Sequence, residues 1–323
     1  MSSDQNLPEI IPVVIIAGPT ASGKSSLALS LAEEFDGEII NADSMQVYRE
    51  LRILTARPNP EDEARIPHHL YGDISIADGC SAGAWLDLAL PCIKDIHSRG
   101  HLPIVCGGTG LYLKVLMEGI APVPDVPRDA IDEAGSLYDE IGGEDFRARL
   151  AEIDREGAER LESGDRQRMI RAYAVARTTG KTLSDWQAGQ MHGPPLPARF
   201  LSIELIPPRD QLYARIESRF DQMMDEGALD EVQALGAFNL DPALPALKAL
   251  GVPEFRRFLA DESALEDAIQ KAKQTTRNFA KRQLTWFRNQ TQADLVIEDF
   301  ATDDTIAMAV TVVSQLKKQI DAK

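Results

Sequence analysis

Cysteine is scarce in this 323-residue chain. Cys80, Cys92 and Cys106 are its three; they form no CxxC pair, and their odd number leaves a thiol over. That pattern points away from a disulfide framework or a zinc site and leaves small core side chains as the expectation. Long apolar runs are missing too. The run beginning at Val13 falls far short of the ~18 apolar residues of a membrane span. The opening MSSDQNLPEI has neither the basic flank nor the apolar stretch of a secretory signal. A cytoplasmic protein is expected. Positive charge is in deficit as well, with 34 Lys and Arg against 51 Asp and Glu, for a formal net charge of −17. As a whole-molecule field this disfavours a nucleic-acid partner, but local distribution decides binding. Two basic islands break the deficit. Lys271 to Gln290 carries six basic residues and no acid, and Arg166 to Lys181 carries five and no acid. Such islands can meet a polyanion in a salt-dependent way.

The chain is 44% hydrophobic, enough for one large core or two smaller ones. Its first third alternates strand-like and helix-like segments: Val13 to Ala17, a helical pattern from Ser25 to Phe35, Glu38 to Ala42, a helix-like Ala82 to Ser98, then Leu102 to Cys106. This alternation predicts a parallel sheet covered by helices, with ligands gathering at the carboxyl ends of the strands. At PVPDVP, Pro122 to Pro127, the pattern stops. The segment that follows reads as helical and closes with HGPPLP. Further strands are expected at Phe200 to Ile206 and Asp294 to Ile297, with helices between and after them. The expected organisation is a phosphate-loop α/β core, residues 1–127 and 199–323, interrupted by a mainly helical insertion, residues 128–198.

GPTASGKS follows the first strand and fits G-x-x-x-x-G-K-[ST]. Gly18, Pro19, Thr20, Ala21, Ser22 and Gly23 form a loop whose backbone N–H groups turn inward on an anion. Lys24 adds a point charge, Ser25 is placed to ligate Mg²⁺, and the next helix presents its positive end. A phosphate-loop hydrolase usually carries a metal-holding acid at the end of another strand. Here the candidate strand, LPIVC, ends in GGTG without a carboxylate. The nearby acid is Asp43, ending IINADSMQ, where it either takes a proton from an incoming nucleophile or serves as a turn residue. A base without a hydrolytic metal acid favours transfer to an acceptor.

The motifs GPTASGKS, DSMQVYRELRILTARP, IPHHL, GGTGLYLKVLMEGI, TTGKT and TRNFAKRQLTWFR, with the stretch from Arg215, resemble the tRNA dimethylallyltransferases. The matches run in the same order from residue 18 to 288, and DSMQVY and KRQLTWFR are far more specific than the phosphate loop. The resemblance implies transfer of dimethylallyl from its diphosphate to the exocyclic amine of the adenosine just 3′ of the anticodon, in tRNAs reading codons that begin with U. It implies a phosphate-loop fold of the NTPase type, Mg²⁺ as cofactor, and Asp43 as general base. Lys24, Ser25 with Mg²⁺, and Arg219 would hold the departing diphosphate. Thr109 would lie near the reacting adenosine, with turn stabilisation as its alternative role.

For tRNA the resemblance implies contacts from Asp43, Ser44, Met45 and Gln46, from Thr109 and Arg128, and from the run Gln167, Arg168, Met169, Ile170 and Arg171. A further run, Lys248, Ala249, Leu250 and Gly251, keeps its backbone available, although Val252 and Pro253 replace the usual tyrosine and basic residue. Gln46 has the side chain for a bidentate hydrogen bond to a base. In the basic island from Lys271 to Gln290, Lys273, Arg277, Lys281 and Arg288 share a stripe that meets RNA or pairs with the chain's own acids, while Trp286 is either a core anchor or a stacking platform. His68 and His69 are adjacent, so their side chains diverge, and they read as structural or substrate-channel residues rather than zinc ligands. A monomer is expected. Three rivals remain: a phosphate-loop kinase of a small metabolite, a non-catalytic RNA-binding protein, and a prenyltransferase acting on free adenine nucleotides.

Overall fold

The computed structural model describes residues 10–188, 193–238 and 240–321. The opening segment read for a signal (residues 1–9) and His192 of HGPPLP lie outside the described residues. Its strands are β1 (Ile11–Ala17), β2 (Gly37–Asn41), β3 (His68–His69), β4 (Leu102–Gly107), β5 (Ala198–Leu205) and β6 (Leu295–Ile297). They form one sheet in the order β3-β2-β4-β1-β5-β6, every neighbouring pair parallel. The side-chain period of two divides β1 between two cores. Val13, Ile15 and Ala17 pack on one face with Trp85 of the helix Ala82–Ser98, Leu113 of the helix Gly110–Glu118 and Phe287 of the helix Leu265–Gln290. Val14 and Ile16 pack on the other with Leu27 and Leu31 of the helix Lys24–Phe35 and Val313 of the helix Asp303–Asp321. Burying each such side chain stabilises the fold by ~1.5–3 kcal/mol, and a strand apolar on both faces has no stable place except between two helical layers.

Register places the loops. Ala17 stands opposite Gly107 across the β1–β4 ladder, and Asn41 opposite Cys106 across β2–β4. The phosphate loop, the GGTG loop and the Asp43 turn therefore leave the sheet side by side. Gly107 permits this closeness, since a Cβ there would run into the backbone of Ala42.

The edge strand β3 is not foreseen in the sequence reading, because two residues are too short for a periodic signal. His69 Nε2 lies 2.6 Å from Glu38 Oε2, and His68 Nδ1 lies 2.8 Å from the Ile66 carbonyl. Arg99 beside Glu38 holds that buried carboxyl down to about 2. Both histidines thus serve the sheet, and no group of three or more His, Cys, Asp or Glu is arranged for a metal among the described residues. Nor, among those residues, is any helix long and apolar enough to cross a membrane.

The chain divides into two compact units, Met1–Met117 with Pro194–Lys323, and Glu118–Gly193. The second is helical, with segments Arg128–Ile141, Gly143–Ala151, Arg155–Arg160, Arg166–Thr179 and Leu183–Ala188. Its own core gathers Phe146, Leu150, Met169 and Ile170.

Candidate active site

The loop after β1 turns sharply at Ala21 (φ 65°) and Gly23 (φ 94°) and delivers the chain into the helix Lys24–Phe35. That helix has no side-chain cap and no acid in its first turn, so its N-terminal N–H groups stay suited to an anion. Lys24 Nζ donates to the Pro19 carbonyl at 2.6 Å. Burial lowers the Lys24 ammonium to about 8, against opposing attraction from Asp43. Arg219, on the helix Arg209–Asp225, donates from Nη2 to the Thr20 hydroxyl at 2.6 Å. Burial brings Arg219 down to about 10, so it stays charged at neutral pH.

Asp43 is presented by a turn built on Asn41, whose side chain is fully buried. Asn41 Oδ1 accepts from the Asp43 N–H at 2.8 Å, and its Nδ2 donates to the carbonyls of Asp43 and Leu70, both at 3.0 Å. Asp43 Oδ1 in turn accepts from the Met45 N–H at 2.9 Å. Asp43 is therefore a turn residue as well as a candidate base.

Two chambers meet at these residues. The smaller, about 190 Å³, is lined by Lys24, Ser25, Arg215 and Arg219, with Tyr71 and Cys106 in its wall. Burial raises both the Tyr71 phenol and the Cys106 thiol, the latter to about 11, so both are neutral at pH 7. Three cations against one carboxylate, Asp43, make this chamber positive, which suits a diphosphate. The larger, about 270 Å³, has apolar walls from Met45, Leu54, Ile216, Phe220, Met223 and Phe279, with Ser44, Lys248, Ala249 and Leu250 also lining it. Thr20, Asp43, Thr55 and Arg219 line both. A charged group and an apolar or planar group can thus be held end to end, with a carboxylate at the junction.

Of the phosphate-loop residues, Thr20, Ala21, Gly23, Lys24 and Ser25 line the smaller chamber. Ser22 is fully buried, so its side chain supports the loop, while Gly18 and Pro19 shape the loop behind the chamber wall. Thr109 Oγ1 accepts from the Ser44 N–H at 2.9 Å and lies 3.3 Å from Ser44 Oγ. Its visible work is to hold the turn that carries Asp43. Gln46, expected to offer its amide to a base, has its Nε2 donating to the carbonyls of Thr55 and Ala56 at 2.8 and 2.9 Å. Reading a base with both ends of that amide would require giving up these bonds. Gly251 is buried at φ 91° and Val252 is fully buried, so of the run from Lys248 the exposed member is Lys248. In the second unit, Met169 and Ile170 are buried in its core, so only Gln167, Arg168 and the half-buried Arg171 of that run offer side chains to a partner. Arg168 pairs with Asp165 at 2.9 Å and Arg128 with Asp132 at 3.3 Å. Exposed pairs of this kind contribute little and can be exchanged for a phosphate.

The basic stripe of the helix Leu265–Gln290 is divided. Lys273 pairs with Asp221 at 2.5 Å and Arg277 pairs with Glu217, both acids lying on the helix Arg209–Asp225. Lys281, Arg282 and Arg288 are exposed. Trp286 is half-buried against the core and lies over Gly110, in keeping with an anchor. Sequence reasoning missed Asn41, Gln283 and Glu231 as site supports. Glu231 accepts from the N–H groups of Arg52, Ile53 and Leu54 at 2.6, 2.7 and 3.0 Å, holding the turn whose Leu54 and Thr55 line the chambers. A buried polar residue on the apolar face of a helix, as Gln283 is, carries a legible signal because it must find partners.

A parallel sheet with a phosphate loop after its first strand, opening onto an apolar chamber through a shared carboxylate, defines a phosphate-loop group transferase. The model of the IPP transferase family matches residues 46–290. Two relatives named tRNA dimethylallyltransferase are similar over most of their length. That of Rhodospirillum centenum is 50% identical over 287 residues, covering 89% of this chain and 91% of the relative. That of Phenylobacterium zucineum is 52% identical over 276 residues, covering 85% and 89%. Among solved structures, the full-length tRNA isopentenylpyrophosphate transferase of Bacillus halodurans superposes with a TM-score of 0.69 at 31% identity, over 96% of this chain and 98% of that one. A eukaryotic dimethylallyltransferase acting on tRNA superposes with a TM-score of 0.78 at 28% identity, over 94% and 80%. The chain belongs to the IPP transferase family.

Proposed function

We propose that this protein transfers a dimethylallyl group from dimethylallyl diphosphate to the exocyclic N6 amine of the adenosine 3′-adjacent to the anticodon, in tRNAs reading codons that begin with U, releasing diphosphate. The observation that carries this reading is the pair of chambers meeting at Asp43 and Arg219. The diphosphate lies in the positive chamber against Lys24 and Arg219, and the flipped purine enters the apolar one past Ser44, Met45 and Lys248. The allylic C–O bond breaks, its electron pair passing to the diphosphate, where Lys24, Arg219 and the helix N-terminus stabilise the growing charge. The amine nitrogen bonds to the freed carbon, and its proton passes to Asp43. Adenine's amine is a weak nucleophile because its lone pair is delocalised, so a carboxylate beside it is what the step needs.

The residues present fit Mg²⁺. Ser25 brings an oxygen donor to the smaller chamber, and Mg²⁺ favours few protein ligands, completing its shell from substrate phosphates and water. When bound, the ion would supply charge neutralisation to the leaving diphosphate. In the second unit Arg128, Gln167, Arg168 and Arg171 contact the tRNA, joined by Lys281 and Arg288 of the core. The protein is proposed to act as a monomer, in the cytoplasm.

The test offers labelled dimethylallyl diphosphate with unmodified tRNA, with AMP, or without acceptor, while ATP is followed in parallel. Label in tRNA alone, dependence on Mg²⁺ and no loss of ATP are expected. Label in AMP would move the substrate to free nucleotides, and ATP consumption would favour a kinase.

A further inference from the structure

Gln283 lies on the helix Leu265–Gln290, far along the chain from the loops of the site, and its side chain is buried. Its Oε1 accepts from the Thr20 N–H at 2.8 Å, and its Nε2 donates to the Gly108 carbonyl at 2.9 Å. Each end leads to one half of the reaction. On one side, the Thr20 hydroxyl accepts from Arg219 at 2.6 Å. On the other, Gly108 precedes Thr109, whose hydroxyl accepts from the Ser44 N–H beside Asp43 at 2.9 Å. The sheet holds these strands in register only as far as Ala17 and Gly107. Beyond that rung both loops leave the ladder, and the Gln283 carboxamide bridges them. The fit is close, since a Cβ at Gly108 would run into its amide nitrogen.

We propose that Gln283 is a positioning residue that locks the phosphate loop to the Thr109 loop, fixing the diphosphate-holding half of the site relative to the half that carries the general base. A carboxamide is suited to this because it presents one acceptor and a pair of donors from a single rigid plane. Losing either end leaves a buried backbone group without its partner. The inference rests on the reading of prenyl transfer given above. Gln283 touches neither substrate there; it sets the distance between the groups that do, and a misplacement of about 1 Å costs a reaction on the order of 10²-fold.

The test uses the full chain, labelled dimethylallyl diphosphate and unmodified tRNA, with Gln283→Met and Gln283→Glu measured beside the wild type. Gln283→Met keeps the length and loses both bonds. Its kcat should fall about 30-fold at saturating substrates, with KM for each substrate within about threefold of wild type. Gln283→Glu keeps the shape and the acceptor for Thr20 but lacks the N–H toward Gly108 until its buried carboxyl takes a proton. Its kcat relative to wild type at the same pH should rise at least about threefold between pH 8 and pH 6. Lys24, Asp43, Cys106 and Arg219 around the loops, and Arg282 on the helix itself, are common to both proteins, so the ratio isolates position 283. Wild-type kcat in Gln283→Met overturns the proposal. So does a ratio for Gln283→Glu that is flat with pH, the result expected of a residue serving stability alone. If Gln283→Met does not fold, the Gln283→Glu ratio decides. A wild type that leaves tRNA unlabelled overturns the functional reading itself, whereas an active wild type matched by Gln283→Met overturns only the role of Gln283.

Discussion

Arg219 donates to the Thr20 hydroxyl at 2.6 Å, joining a helix to the phosphate loop across 199 positions of chain. The bond orients a half-buried guanidinium toward the chamber that also holds Lys24, and it makes the anion site a product of two distant segments. Arg219→Lys keeps the charge and loses the planar fork. It should lower kcat/KM for the diphosphate donor about tenfold, and Arg219→Ala about 10²–10³-fold. Steady-state kinetics at fixed saturating tRNA reads both, and a lysine variant equal to wild type would leave the guanidinium geometry without a role.

Asp43→Ala should retain equilibrium binding of the donor and lose about 10²–10⁴ in kcat, the usual contribution of a positioned base. Asp43 also holds its own turn through the Met45 N–H. Asp43→Asn, which keeps an acceptor for that bond, separates the two roles: it should be as inactive as alanine while melting closer to the wild type. Normal label transfer by either variant removes Asp43 as base.

Burial holds the Lys24 ammonium at about 8, below its ordinary 10.5. The donor-free fold therefore bears a cost wherever Lys24 is charged, below about pH 8. That cost is relieved as pH rises from 8 toward 10.5, where the unfolded chain still holds the proton and the fold does not. Lys24→Met should raise Tm by about 2–4 °C at pH 7 in the absence of donor. The advantage should shrink toward pH 10, and donor binding should be lost throughout. In the wild type, KM for the donor should climb as pH passes through about 8, because the ammonium is the binding form. A lower Tm for Lys24→Met at pH 7 would refute the burial cost.

The divided basic stripe predicts two kinds of variant. Lys281→Ala and Arg288→Ala should weaken tRNA binding and each reduce the log–log salt slope by about one, with little change in Tm. Lys273→Ala and Arg277→Ala break pairs with Asp221 and Glu217. They should cost about 1 kcal/mol of stability and leave the salt slope unchanged. Filter binding across a salt series, with thermal melts, distinguishes the sets.

The parts legible in the sequence were local ones. GPTASGKS is contiguous, and its strand–loop–helix setting follows from apolar periodicity and glycine placement alone. DSMQ and GGTG were likewise readable as strand ends, and the alternation of segments implied a parallel sheet with its ligands at those ends. The two-residue β3 was too short to announce itself. Met169 and Ile170 could not be separated from Gln167 and Arg168 as contacts until the helix Arg166–Thr179 was seen to turn the first two into its own core.

What remained hidden was which distant groups share a hydrogen bond. Whether Lys273 meets RNA or Asp221, whether Gln46 is free or holds Thr55, and whether Gln283 is inert or bridges two loops depend on segments brought together by sheet register and helix packing. Periodicity reports which face of a segment is buried, because burial repeats with the backbone's own geometry. It does not report the partner on the other side, because that partner is chosen by the packing of the whole core.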